Sequence, residues 1–76
     1  MSRAKNPVDL HVGQRTQLAR ALAGLELEEL AEALKVTPDQ MQAYEAGERM
    51  DLATLFTIAK ILKRPMAYFF DGLPSV

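Results

Sequence analysis

The tetrapeptide Thr37-Pro38-Asp39-Gln40 is the strongest local constraint in the chain. Thr37 offers a hydroxyl to cap backbone N–H groups, and Pro38 suits the first position of a helix. Asp39 falls at the positive end of the helix dipole, and Gln40 at the third position completes the pattern of a capping box. A helix is predicted to start there. Just before it, Leu27, Leu30, Ala31 and Leu34 recur at i, i+3, i+4 and i+7, which makes one apolar stripe. Glu28, Glu29 and Glu32 take the other faces of that helix. Between the two segments, Lys35-Val36-Thr37 leaves room for only three or four turn residues, with Val36 apolar enough to plug the corner.

Asn6-Pro7, Gly24, Gly47, Asp51, Pro65 and Gly72 divide the rest of the chain into segments with helical spacing and no strand-like alternation. The first helix is predicted from about Pro7 or Val8 to Ala23. Asn6 is its N-cap, and Gly24 ends it in a left-handed conformation. Gly13 is a weak point inside it. In the third helix Met41, Tyr44 and Glu45 are expected to face inward, and Gly47 stops it. The fourth starts at Asp51 and carries Leu52, Leu55, Phe56, Ile58, Ala59 and Leu62. A short fifth, about Pro65 to Phe70, supplies Met66, Phe69 and Phe70. The expectation is an all-α domain of five short helices over residues 7–72, a flexible N-terminal arm over 1–6 and a C-terminal tail over 73–76.

At 76 residues one domain is expected, near the lower size limit of independent stability. There is no cysteine and only one histidine, so neither a disulfide nor a zinc site is expected, and helical packing or oligomerisation must supply the stability. The formal net charge of -1 excludes a strongly basic nucleic-acid binder at the level of the whole chain. No apolar signal core and no run of membrane-spanning length occurs, so a soluble, cytoplasmic domain is expected. No Ser-His-Asp arrangement, Gly-rich phosphate loop or His-Glu-x-x-His signature occurs. Neither an enzyme nor a cofactor is expected. There is no room for a separate effector domain, so no small-molecule ligand is expected either.

Two short helices joined by this turn have the spacing of a helix-turn-helix. Around them stand Gly24-Leu25, Glu28-Glu29-Leu30-Ala31, Leu34, Val36-Thr37, Tyr44-Glu45, Gly47, Leu55, Ile58-Ala59, Leu62 and Phe69. In this ordered set, from about Val12 to Gly72, the chain resembles the Cro/C1-type (XRE-like) helix-turn-helix family of phage repressors and small bacterial regulators. The resemblance implies a lambda-repressor-like five-helix domain whose third helix enters the major groove of DNA. It also implies a structural ion pair between Arg20, late in the first helix, and Glu45, at the end of the third. On this reading the protein is a small transcriptional regulator that binds duplex DNA as a homodimer. Thr37, Gln40 and Gln42 make polar contacts in the groove, and Arg49 with the arm residues Arg3 and Lys5 touches phosphates.

The residues depart from the family pattern in ways that support a second reading. Members typically place Ser or Thr and then Gln at the start of the second helix, where the Gln clamps a phosphate; this chain has Glu26 and Leu27. Where members usually carry polar or basic residues for base reading, the matching positions here hold Pro38, Asp39, Ala43, Ala46 and Glu48. Lys35 stands where the turn usually has Gly, and must adopt a left-handed conformation at a cost of about 1 kcal/mol. Between Gly24 and Asp51, eight acids and two bases leave -6; the preceding residues carry +3 and the following ones +2. Phosphate contacts carry much of the affinity for DNA, so an acidic recognition unit works against it. The alternative is therefore a helix-turn-helix domain that presents Glu26, Glu28, Asp39 and Glu48 to a protein partner among related regulators.

The remaining features admit plainer readings. His11 has no ligand cluster around it and reads as a surface residue. Arg15, Lys60, Lys63 and Arg64 form either a patch for backbone phosphates or ordinary solubilising charge on the first and fourth helices. Phe69 is the best core candidate at the C-terminal end; Tyr68, Phe70 and Leu73 either complete the core, which is the plainer reading, or offer a dimer seam.

Overall fold

Asn6 Oδ1 accepts a 2.7 Å hydrogen bond from the Val8 backbone N–H, and the chain enters its longest helix, α1 (Pro7–Leu22). Four more follow: α2 (Leu27–Leu34), α3 (Pro38–Glu45), α4 (Leu52–Leu62) and α5 (Met66–Phe70). This is a computed structural model, and it describes residues 6–73. All five helices lie where capping and periodicity predict them, and the fold is all-α among the described residues.

The first four helices each start on a side-chain cap or capping box, and α5 starts at Pro65 without one. Thr37 Oγ1 accepts from the Gln40 N–H at 3.1 Å, and Asp51 Oδ1 accepts from the Thr54 N–H at 2.7 Å. Hydrogen bonding from Thr54, its side chain first and its backbone N–H second, favours the ionised carboxylate and holds Asp51 below the ordinary carboxylate pKa. Its contribution to stability is therefore present above the unfolded-state pKa and lost as pH falls through the lower folded value. Asp51→Asn keeps an acceptor without the charge, so the acid limb of a melting-temperature profile becomes shallower; an unchanged limb would contradict this.

Two helices end on lysines in the left-handed region, Lys35 (φ 64°) after α2 and Lys63 (φ 58°) after α4. In both, the next residue donates back across the last turn: Val36 to the Ala31 carbonyl and Arg64 to the Ala59 carbonyl, each at 3.0 Å. This is the Schellman closure that glycine usually serves. Lys35→Gly removes side-chain strain of about 1 kcal/mol but adds freedom to the unfolded chain, so a net gain of about 0.5 kcal/mol is expected in urea unfolding.

The core is built from Val12 and Ala19 of α1, Leu30 and Ala31 of α2, Met41 of α3, Leu55, Ile58, Ala59 and Leu62 of α4, and Phe69 of α5. Helix α2 packs on α3, α1 packs on α3 and α5, and α4 closes over α2, α1 and α5. The buried Thr16 hydroxyl is satisfied inside its own helix, donating to the Val12 carbonyl at 2.8 Å. Two apolar residues of α4 lie outside the core, and one expectation needs correcting. Leu52 and Phe56 are not core residues: they are 71% and 55% exposed. Leu55, Ile58, Ala59 and Leu62 make the inward stripe of α4, Phe56 falls outside it, and Leu52 sits on the uncovered first turn. Nor is Gly13 a weak point. It is buried where α1 crosses the end of α3, and a Cβ there would lie 2.6 Å from the Tyr44 carbonyl oxygen.

Candidate nucleic-acid interface

Helix α3 has one seated side and one free side. Met41 and Glu45 are buried and Tyr44 is half-buried, whereas Thr37, Pro38, Asp39, Gln42 and Ala46 are exposed. The seat is polar as well as apolar. Arg20 of α1 grips Glu45 with two parallel bonds, Nε to Oε2 at 2.7 Å and Nη2 to Oε1 at 3.0 Å. Its Nη1 donates to the Leu25 carbonyl at 2.9 Å, which ties down the link between α1 and α2. The hydrogen bond with Glu45 raises the Arg20 pKa despite the opposing effect of burial. Arg20 therefore stays charged, and with side chains only 14% and 6% exposed the two residues form a buried strut.

The residues able to donate to DNA are less free than their types suggest. The Thr37 hydroxyl is engaged as the α3 cap. Gln40 does not reach back to accept from the Thr37 N–H and complete the capping box; its Nε2 instead donates to Glu48 Oε2 at 2.8 Å, a charge-assisted bond that directs the amide toward the loop. Arg49 donates to Asp9 of α1 at 3.2 Å, although its side chain remains 74% exposed. Gln42 is exposed and makes no hydrogen bond among the described residues. Arg3 and Lys5 lie outside the described residues.

The acids divide in the same way. Glu29 is part of the α2 start, its Oε1 accepting from the Glu26 N–H at 2.7 Å. Glu26, Glu28, Asp39 and Glu48 are all exposed, and no cation pairs with them among the described residues. Sequence reasoning missed both the Asp9–Arg49 and the Gln40–Glu48 contacts. The first joins residues forty positions apart, with no local signal; the second follows from the loop path after Gly47.

Of the residues offered for a dimer seam, Tyr68, Phe70 and Leu73 are half-buried. The Tyr68 ring is covered by Arg15 and Arg64. Phe70 lines an open groove of about 310 Å³ with Val8, Val12, Met50, Leu52 and Leu55. His11 lies beside this end of the molecule, where Nε2 bonds the Asp71 carbonyl. No helix among the described residues is long and apolar enough to cross a membrane.

Comparison with known proteins agrees with this architecture. A helix-turn-helix family model matches residues 17–69. The chain is 41% identical over 71 residues to an uncharacterised HTH-type transcriptional regulator of Sinorhizobium medicae, covering 92% of this chain and 51% of the relative. It is 41% identical over 73 residues to an uncharacterised transcriptional regulator in the ATPase CF(0) region of Rhodospirillum rubrum, covering 95% of this chain and 68% of that one. In several of these relatives, then, the chain spans about half the length. The crystal structure of the clp gene regulator ClgR from C. glutamicum shares the fold, with a TM-score of 0.79 at 20% identity over 96% of this chain and 100% of that one. By the matched family model, the close relatives and the five-helix architecture, the chain belongs to the Cro/C1-type helix-turn-helix family.

Proposed function

We propose that the protein is a cytoplasmic transcriptional regulator that binds duplex DNA as a homodimer, with α3 in the major groove. The observation that carries this reading is the state of α3: clamped on its inner side by Arg20 and Glu45, and uncovered along Thr37, Asp39 and Gln42. Thr37, Gln40 and Gln42 face the groove, and Arg49, Arg3 and Lys5 touch phosphates. Because two guanidinium groups sheathe Tyr68, the seam is better drawn through Phe70 and Leu73 with the neighbouring Val8 and Leu52. Titration with mixed duplex DNA at low salt tests the reading. Micromolar binding that weakens steeply with salt supports it, and no binding in that range overturns it. Sedimentation in the same buffer reads the oligomeric state, and a monomer overturns the dimer.

A second reading has its own observation. Gln40 and Arg49 are held by the protein's own acids, while Glu26, Glu28 and Asp39 stand exposed without a cation. Such a face suits the basic surface of a related regulator rather than a phosphate backbone. Asp39→Gln, Ala43→Lys and Glu48→Lys, made together, separate the readings. If α3 already meets DNA, the two new lysines steepen the logarithmic salt slope by about two and tighten binding. If α3 serves a protein partner, the variant gains only weak affinity for duplex and loses the partner.

A further inference from the structure

Four cations stand apart from the helix-turn-helix unit: Arg15 in α1, Lys60 in α4, and Lys63 with Arg64 just after α4. None forms an ion pair among the described residues, where the two pairs are Arg20–Glu45 and Arg49–Asp9. Solubilising charge would need nothing more than water around each side chain. Three of the four lie over an aromatic ring: Lys60 Nζ stands 5.6 Å from the centroid of the exposed Phe56, and the two arginines share Tyr68. The Arg15 guanidinium carbon lies 4.2 Å from the centroid of the Tyr68 ring, and its Nε donates to the Tyr68 carbonyl at 3.0 Å. The Arg64 guanidinium carbon lies 5.0 Å from the same centroid. The ring is itself held edge-on against Phe69 at 5.4 Å, and Phe69 is completely buried in the core.

This chain of contacts positions charge. Phe69 fixes Tyr68, and Tyr68 holds two half-buried guanidinium groups whose mutual distance falls within a Debye length, about 10 Å at 0.1 M salt. Two like charges at that spacing repel, and among the described residues neither forms an ion pair with a carboxylate. Stacking on a ring removes rotamer freedom in advance and leaves the guanidinium edges free to donate. The Nη groups of Arg15 and every guanidinium N–H of Arg64 have no acceptor among the described residues. The four remaining N–H groups of the Arg15 guanidinium and the five of Arg64 match an oxyanion with several oxygens, and phosphate above all.

We propose that Arg15, Tyr68 and Arg64 form a binding site for a phosphate group, on the side of the molecule where α5 packs against α1 and α4. The site is independent of α3, since none of its residues belongs to the helix-turn-helix unit. The phosphate comes either from a small phosphorylated molecule or from the backbone of a nucleic acid.

Pyrophosphate is the probe, titrated at constant ionic strength against sodium chloride as the balancing salt. The expected result is a saturable rise in melting temperature beyond the chloride control, with the Nε–H NMR signals of Arg15 and Arg64 shifting along the same curve. Arg64→Gln, which removes no hydrogen bond within the protein, weakens pyrophosphate binding about tenfold or more. Arg15→Gln does the same but also breaks the tie to Tyr68, so Arg64→Gln is the decisive variant. No saturable shift, or an equal shift in Arg64→Gln, overturns the proposal. A duplex oligonucleotide arm then identifies the source. If Arg64→Gln weakens duplex binding in parallel, the site holds a nucleic-acid backbone; if duplex binding is unchanged while pyrophosphate binding falls, it holds a small phosphorylated molecule.

Discussion

Arg20→Met is expected to lower the free energy of unfolding by about 3–5 kcal/mol, because it leaves the Glu45 carboxylate buried without its partner. A 76-residue domain has roughly 4–11 kcal/mol in total, so the variant stands at the edge of folding. Its melting temperature should fall by about 15 °C or more. The size of the effect follows from burial. An exposed ion pair would contribute under about 1 kcal/mol, but these side chains are only 14% and 6% exposed, and the geometry is bidentate. Arg20→Met combined with Glu45→Leu should recover most of the loss, since an apolar pair removes the stranded charge instead of creating it. Urea unfolding of the two single variants and the double variant checks this; a loss under about 1 kcal/mol in Arg20→Met would place the pair among ordinary surface bridges.

Gly13→Ala is the second large effect, and two opposing terms decide its sign. Alanine gains about 0.8–1.0 kcal/mol over glycine in a helix interior. The new Cβ, however, would stand 2.6 Å from the Tyr44 carbonyl oxygen and 2.8 Å from that of Glu45. These are backbone atoms in the last turn of α3, and they cannot rotate aside as a flexible side chain would. Separating α1 from α3 also pulls Glu45 away from Arg20. Overpacking of this kind costs about 1–3 kcal/mol, and more where a second interaction is lost with it. A net loss of about 2 kcal/mol is expected. Gln14→Ala, one residue on and exposed, supplies the control and should be neutral or slightly stabilising. Gly13→Ala melting at or above the unsubstituted protein would show that the two helices do not meet so closely.

Both predictions concern how α3 is held, which is the part of the candidate site that was only half legible beforehand. Thr37, Pro38 and Asp39 announce the start of α3 within four residues. The inward turn of Met41 and Glu45 follows from the period of the helix. The state of the donors does not. Gln40 has the position of a capping-box residue, yet its side chain goes to Glu48, because the loop after Gly47 brings a carboxylate within reach. Asp9 is an ordinary first-turn acid by sequence, and in three dimensions it occupies Arg49. Tyr68 looks like surplus apolar surface until Arg15 and Arg64 are seen against its ring.

The amino-acid sequence by itself determines the five helices, their caps, the left-handed turn at Lys35 and the -6 laid over the helix-turn-helix unit. All of these depend on interactions between residues a few positions apart, where residue type is sufficient. Tertiary structure alone decides that Gly13 is a crossing point, that Leu52 and Phe56 face solvent, and which acid holds which donor. The Gln40–Glu48 contact depends on the loop after Gly47, and the exposure of Leu52 and Phe56 on how α4 is seated. The Gly13 crossing and the Asp9–Arg49 contact depend on the angle at which α1 meets α3 and α5. That angle is set by the packing of residues 25 to 60 positions apart in the chain, such as Arg20 with Glu45 and His11 with Asp71.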